Sequence, residues 1–300
     1  MNVQDFASSP GMPQVAALDT PFAWPQSGLQ PLPWFPFTVA ASAGAGDAAG
    51  RIARRVEQAY WYLRKVLRFT PRFRLLVLSR EDWPRYAEVD AYGIAHYDDR
   101  GHLVVGSEPA DAWLDVSRAF AAALPAQALR KVRGVHGTHP RDPQVPDLGL
   151  MAEALMAHEF ARLMADQARA SFPLHWLKDA FANYALVAVL GETDPDALHR
   201  LGTLAEAARE IESVMPRVVA SAGRPALTPF EAVLMQLELT RAAYAAYADA
   251  RTAPLGRWFT LARRSASTGR ASIAQLLARD VHPAIGSLAG SWDDEIPHAA

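Results

Sequence analysis

The half of the chain that follows Leu150 leaves little room for anything but helices. Apolar residues recur there at helical spacing over stretches at roughly 150–170, 174–190, 197–220, 228–250, 254–265 and 270–279. Breakers fall between them: Ser171-Phe172-Pro173, Gly191, Gly223 to Pro225, Pro254 and Gly269. A helix with one apolar stripe must bury it against another element. A helical body is therefore expected from this half, and no repeat at a fixed period suggests a solenoid.

The first half reads differently. Residues 1–47 carry Pro10, Pro13, Pro21, Pro25, Pro31, Pro33 and Pro36, which break any helix. Phe22, Trp24, Trp34, Phe35 and Phe37 lie among them. The segment reads as an extended arm that docks its aromatics on the body, or as a polyproline-like ligand for a partner. Ala40 to Gly50 is rich in Ala, Gly and Ser and reads as a linker. Residues 48–148 then read as a small α+β unit. A basic-flanked amphipathic helix from Ala48 to Phe69 carries Ile52, Val56, Tyr60, Leu63 and Leu67 on one face. Phe73 to Leu78 reads as a strand, and Tyr92 to Tyr97 with His102 to Val105 as a hairpin turning at Asp98 to Gly101. Helices are expected at Asp111–Ala123 and Ala126–Val132, and a loop from Gly134 to Gly149. The helical part is bounded as 149–292, with a tail at 293–300.

Composition removes several chemistries. The chain has 300 residues and no cysteine. Disulfides, thiolate metal sites and a thiol nucleophile are excluded. A pI near 6.5 argues against a dedicated nucleic-acid binder. No apolar run reaches the ~18–20 residues of a membrane helix, and the N-terminus lacks the pattern of a secretory signal. A cytoplasmic protein is the expectation. No Gly-x-Ser-x-Gly elbow, phosphate-binding Gly-rich loop or dinucleotide fingerprint is present.

The informative segment is His158-Glu159-Phe160-Ala161-Arg162. In His-Glu-x-x-His, two histidines four apart leave one helix face and reach one zinc ion, and the Glu is the base for the metal-bound water. Here His158 and Glu159 match, and Arg162 stands where the second His belongs. His136 and His139, three apart, form a lesser candidate metal pair. Met151, Met156, Met164, Phe160, Phe172, Trp176 and Phe181 read as core.

After a Phe-Pro break comes Trp176-Leu177-Lys178-Asp179-Ala180-Phe181-Ala182-Asn183-Tyr184. Together the two segments resemble the gluzincin metallopeptidases, whose second helix carries a Trp-Leu-x-Glu-Gly-x-Ala-x-Tyr type of segment. The likeness extends loosely over residues 50–292, with Tyr244 to Tyr247, Leu255-Gly256-Arg257 and Leu288 to Trp292 resembling the family's tail. It implies a zincin-like α+β fold: a short mixed sheet with an edge hairpin, followed by helices. It implies that Asp179 stands at the third ligand position, that Glu159 is the base if the protein is active, and that Tyr92, Gly93 and Ile94 line a substrate edge.

The departures bear on activity. A guanidinium has no lone pair to give a metal, and its charge repels a dication one turn from His158. Arg162 is expected to pair with Glu159 or Asp179 in place of the ion. His175, four residues before Asp179, offers a displaced ligand. Three readings follow: a metallopeptidase-like protein that has lost zinc and catalysis and binds a peptide or protein in the former cleft; an active zinc hydrolase with atypical ligands; or an unrelated helical binding protein. No nucleic-acid or membrane partner is expected.

Overall fold

A computed structural model of the chain describes residues 28–172, 174–211, 228–264 and 273–293. Phe22 and Trp24 of the expected arm, the 212–220 end of one expected helix and the tail from 294 lie outside them. The architecture is mixed α+β, a small sheet packed against a larger helical body.

The sheet has five strands: β1 (Gln30–Leu32), β2 (Thr38–Ala41), β3 (Arg74–Leu78), β4 (His96–Tyr97) and β5 (His102–Gly106), in the order β1-β2-β3-β5-β4. The centre, β2-β3-β5, is parallel; both outer strands run antiparallel to their neighbours. Parallel strands are covered on both faces, which is why β3 and β5 read as unbroken apolar runs. Val39, Ala41, Leu75, Val77, Leu103 and Val105 point into the main core. Ala40, Leu76, Leu78 and Val104 point the other way, into a small cluster with Trp83. Trp83 lies on the short helix α2 (Trp83–Tyr86).

Between β2 and β3 runs α1 (Gly46–Leu67). It buries the stripe Ile52, Val56, Tyr60, Leu63 and Leu67 and stops where Arg68 turns left-handed, φ 50°. The expected linker at 40–50 is therefore not one. Ala40 and Ala41 are sheet residues, and Gly46 opens a helix. Small side chains mislead here, because a strand covered on both faces needs little bulk. The expected arm ends earlier too, since residues 30–32 and 38–41 belong to the sheet. Phe37 packs on Phe73 with centroids 4.6 Å apart, as docking requires, whereas Trp34 is 93% exposed.

The edge hairpin is shorter than its sequence suggests. Only His96 and Tyr97 pair with β5. Gly93 adopts φ +78°, and a Cβ on Gly106 would lie 2.8 Å from the Gly93 Cα. This close backbone crossing takes Tyr92 to Ala95 out of the ladder. The turn itself falls where expected: the Gly101 amide donates to the Asp98 carbonyl at 3.1 Å.

Two helices follow, α3 (Asp111–Ala123) and α4 (Ala126–His136). The segment 134–149 is not the plain loop expected from its Gly, Pro and His. After α4 it forms a hairpin of β6 (Thr138–His139) and β7 (Asp142–Pro146).

The helical body consists of α5 (Gly149–Gln167), α6 (His175–Thr193), α7 (Pro195–Ala208), α8 (Pro229–Ala250), α9 (Ala253–Arg264), α10 (Ile273–Asp280) and α11 (Pro283–Asp293). The starts of α7 and α8 are written in the sequence. Asp194 caps α7, and Thr228 with Glu231 forms a reciprocal capping box on α8. α6 lies at the centre, packed by α5, α7, α8, α1 and α9. Residues 180–190 are buried all round, the pattern of a helix with no solvent face. Its one polar interruption, Asn183, receives a hydrogen bond from Thr240 of α8 at 2.8 Å and donates to Gln236. One continuous apolar core joins the inner sheet face to these helices. Among the described residues, no helix is long and apolar enough to cross a membrane.

Candidate functional site

The α5–α6 pair brings most of the sequence candidates together. His158, Glu159 and Arg162 lie on α5, and Asp179 lies on the facing turn of α6. The imidazole Nδ1 of His158 donates to Glu159 Oε1 at 2.9 Å. Arg162 Nη1 donates to the same carboxylate, 3.2 Å to Oε1 and 3.4 Å to Oε2. Across the helix gap, Arg162 Nε stands 3.3 Å from Asp179 Oδ1. This is an ion pair without an aligned hydrogen bond, because Nε has no acceptor in line. One guanidinium thus bridges two carboxylates on two helices.

Burial makes these contacts matter. His158 is 4% and Glu159 8% exposed. Burial alone would raise the Glu159 pKa, but the His158 hydrogen bond and charge, with Arg162 beside it, hold the carboxyl below its ordinary value. Burial likewise works against the Arg162 charge, and Glu159, then Asp179, more than restore it.

Sequence reading missed the second half of the network. Tyr97 of β4 places its ring under both cations, 5.5 Å from the Arg162 guanidinium carbon and 5.2 Å from Lys178 Nζ. Its hydroxyl donates to Asp166 and receives a hydrogen bond from Lys178 at 2.6 Å. Lys178 also reaches Asp166 Oδ2 at 2.5 Å. Burial, followed by the bond to Asp166, pushes the Tyr97 pKa well above the usual phenol range. One signal was available: Asp166 lies four residues after Arg162, on the same helix face.

The residues expected at a substrate edge, Tyr92, Gly93 and Ile94, precede β4 (His96–Tyr97). Tyr92 packs with Trp83 of α2 in the cluster on the outer sheet face, its hydroxyl donating to the Leu78 carbonyl at 3.3 Å. Gly93 is buried against Ala110, and Ile94 precedes the strand. The residues of this edge that face α5 are Tyr97 and the turn after it. With α5 they wall a cleft of about 530 Å³, reached by Asp99, Glu159, Arg162 and Asp166. Asp98 fixes the turn, accepting from the His102 amide at 2.7 Å and from His102 Nδ1 at 2.8 Å.

The described residues do not fit a zinc ion held in the manner of His-Glu-x-x-His. His158 Nε2 is buried without a partner, as a ligand atom would be. Yet the position one turn on presents a guanidinium, already engaged with both nearby carboxylates. Among the described residues, no three His, Asp or Glu groups are placed to hold a metal. The His175 side chain lies outside the described residues. His136 and His139 are each engaged with a different backbone group. His136 Nε2 bonds the Arg200 carbonyl at 3.0 Å, and His139 Nδ1 accepts from the Arg141 amide at 3.1 Å.

Compared with known proteins, the chain matches no family model, no curated protein and no solved structure.

Proposed function

We propose that the cleft between β4 and α5 is a non-catalytic peptide-binding groove on a metallopeptidase-like body, with Arg162 in the role a metal would have. The observation that carries this reading is the bridge from Glu159 through Arg162 to Asp179. It commits both carboxylates, leaves no free base beside His158 and sets a fixed cation between them. The groove then recognises rather than cleaves. β4 is an edge strand of two residues, so strand addition supplies only a short register of backbone bonds. Side chains must contribute the rest. Glu88 and Asp99 line the cleft with no ion pair among the described residues, which favours a peptide carrying a basic side chain.

The test combines metal analysis with binding. Protein purified in the presence of zinc should carry no stoichiometric metal and should not hydrolyse a mixed set of fluorogenic peptides. One equivalent of zinc, lost together with hydrolysis in His158→Ala, would overturn the reading. Peptides selected against the wild type from a random library should be enriched in Lys or Arg. They should bind at least about tenfold more weakly to Asp99→Lys, an exposed change that leaves the melting temperature unmoved. Equal binding to both proteins would remove the groove from the account.

A further inference from the structure

A second cleft lies on the far side of the helical body, where α1, α9 and α10 end. It measures about 1270 Å³. Lys65 and Arg68 enter it from α1, Arg257, Arg263 and Arg264 from α9, and Arg279 from α10. All six are exposed, and among the described residues the only carboxylate in the wall is Asp280. The protein's near-neutral total charge conceals this segregation.

Helix ends account for part of it. Basic residues in a last turn offset the C-terminal dipole, at about 0.3–1 kcal/mol each. Arg257 does this for α10, donating to the Asp280 and Val281 carbonyls at 2.9 Å each. Arg279 is held by Asp280 at 2.7 Å. Lys65, Arg68 and Arg264 have no ion pair or hydrogen-bond partner among the described residues, and Arg263 only overhangs the Phe259 ring. Counting Asp280 and about half a negative charge per helix end, the cleft retains roughly +3.5. Like charges brought together in a concavity repel, and the molecule tolerates that most simply when an anion shares the space.

We propose that this cleft binds a compact polyphosphate anion, clamped between the ends of α1 and α9. Phosphate suits the donors: arginine forks grip its oxygens in pairs, and a lysine adds a point charge. Compactness follows from the walls. The cations converge from three helices rather than running along a track. The one aromatic in the wall among the described residues, Phe259, is 1% exposed, so it offers no face for a base to stack on. Among the described residues the large exposed apolar side chains, Trp34, Trp61, Ile94 and Tyr244, all lie outside the cleft, so none of them would anchor it to a lipid surface.

Titration calorimetry of the full chain with inorganic tripolyphosphate tests this. Saturable one-to-one binding is expected, weakening steeply with added salt, with orthophosphate at least about tenfold weaker. The double variant Lys65→Ala/Arg264→Ala should keep the wild-type melting temperature and lose at least about tenfold in affinity. Arg68→Glu should do the same and guards against an unforeseen folding defect in the pair. Absence of saturation, or equal affinity in the variants, overturns the proposal. So does tighter binding of a single-stranded oligonucleotide or of anionic-lipid vesicles than of tripolyphosphate, since either would place the ligand in another class.

Discussion

The two charged regions obey opposite rules. Between α5 and α6, five charged residues and a tyrosine close on one another, with the Arg162 side chain only 32% and that of Glu159 11% exposed. Beneath the ends of α1 and α9, cations stand in water with few partners. The difference lies in what removal of one charge leaves behind. In the first region it strands a buried partner, so the charges hold the helices in place. In the second it strands nothing, so the charges are free for an outside ligand and contribute little to folding.

The largest effect that can break this contrast is Arg162→Ala. It leaves Glu159 and Asp179 without their shared cation and should cost about 2–4 kcal/mol in a urea melt, below the full figure for a sealed pair because a third of Arg162 meets water. A loss under about 1 kcal/mol would put the bridge in the surface class. Tyr97→Phe comes next. It deletes the hydroxyl shared by Lys178 and Asp166 and should cost about 1–2 kcal/mol. An unchanged melt would show that water replaces it.

Acid supplies a third handle, with a defined sign. The Glu159 pKa is lower folded than unfolded, so its contribution is present above the ordinary glutamate range and is lost as pH falls through that range toward the folded value. Stability between about pH 5 and pH 3 should therefore fall less steeply in Glu159→Gln than in the wild type. Parallel curves would assign the acid sensitivity elsewhere, with Asp98, also lowered against burial by His102, as the next carboxyl to change. The smallest effect sharpens the contrast from the other side. Lys65→Ala should move stability by no more than about 0.5 kcal/mol, and a larger loss would mean that the basic cleft is structural after all.

Legibility in the sequence follows the same division between local and distant. α1, α5, α8 and α9 are legible because their apolar spacing and terminators are local, and α6 because a long apolar run lies between two breakers. β2 is not, because Thr38–Ala41 owes its place to β3, more than thirty residues on, and its small side chains resemble a spacer. β6 and β7 hide among prolines and histidines that look like a loop. At the site, the partners of Arg162 can be read because one lies three residues away and the other falls on the adjoining helix of a short connection. Tyr97 could not be assigned to them. Its partners Asp166 and Lys178 lie 69 and 81 residues away, and the ring meets them only once the sheet has been built.

The central position of α6 has one more consequence. A helix with a free side can fray or swing out while the rest of a domain holds, but α6 has no free side from residue 180 to 190. Its backbone amides can reach solvent only when α5 and α8 separate around it, which is the unfolding of the whole body. Asp179 sits one residue before that stretch, at the margin between the part of α6 that cannot open alone and the cleft where Arg162 meets it. The Asp179 end of the site therefore rests on an enclosed helix, and its place opposite Arg162 should persist through local opening of the helix ends.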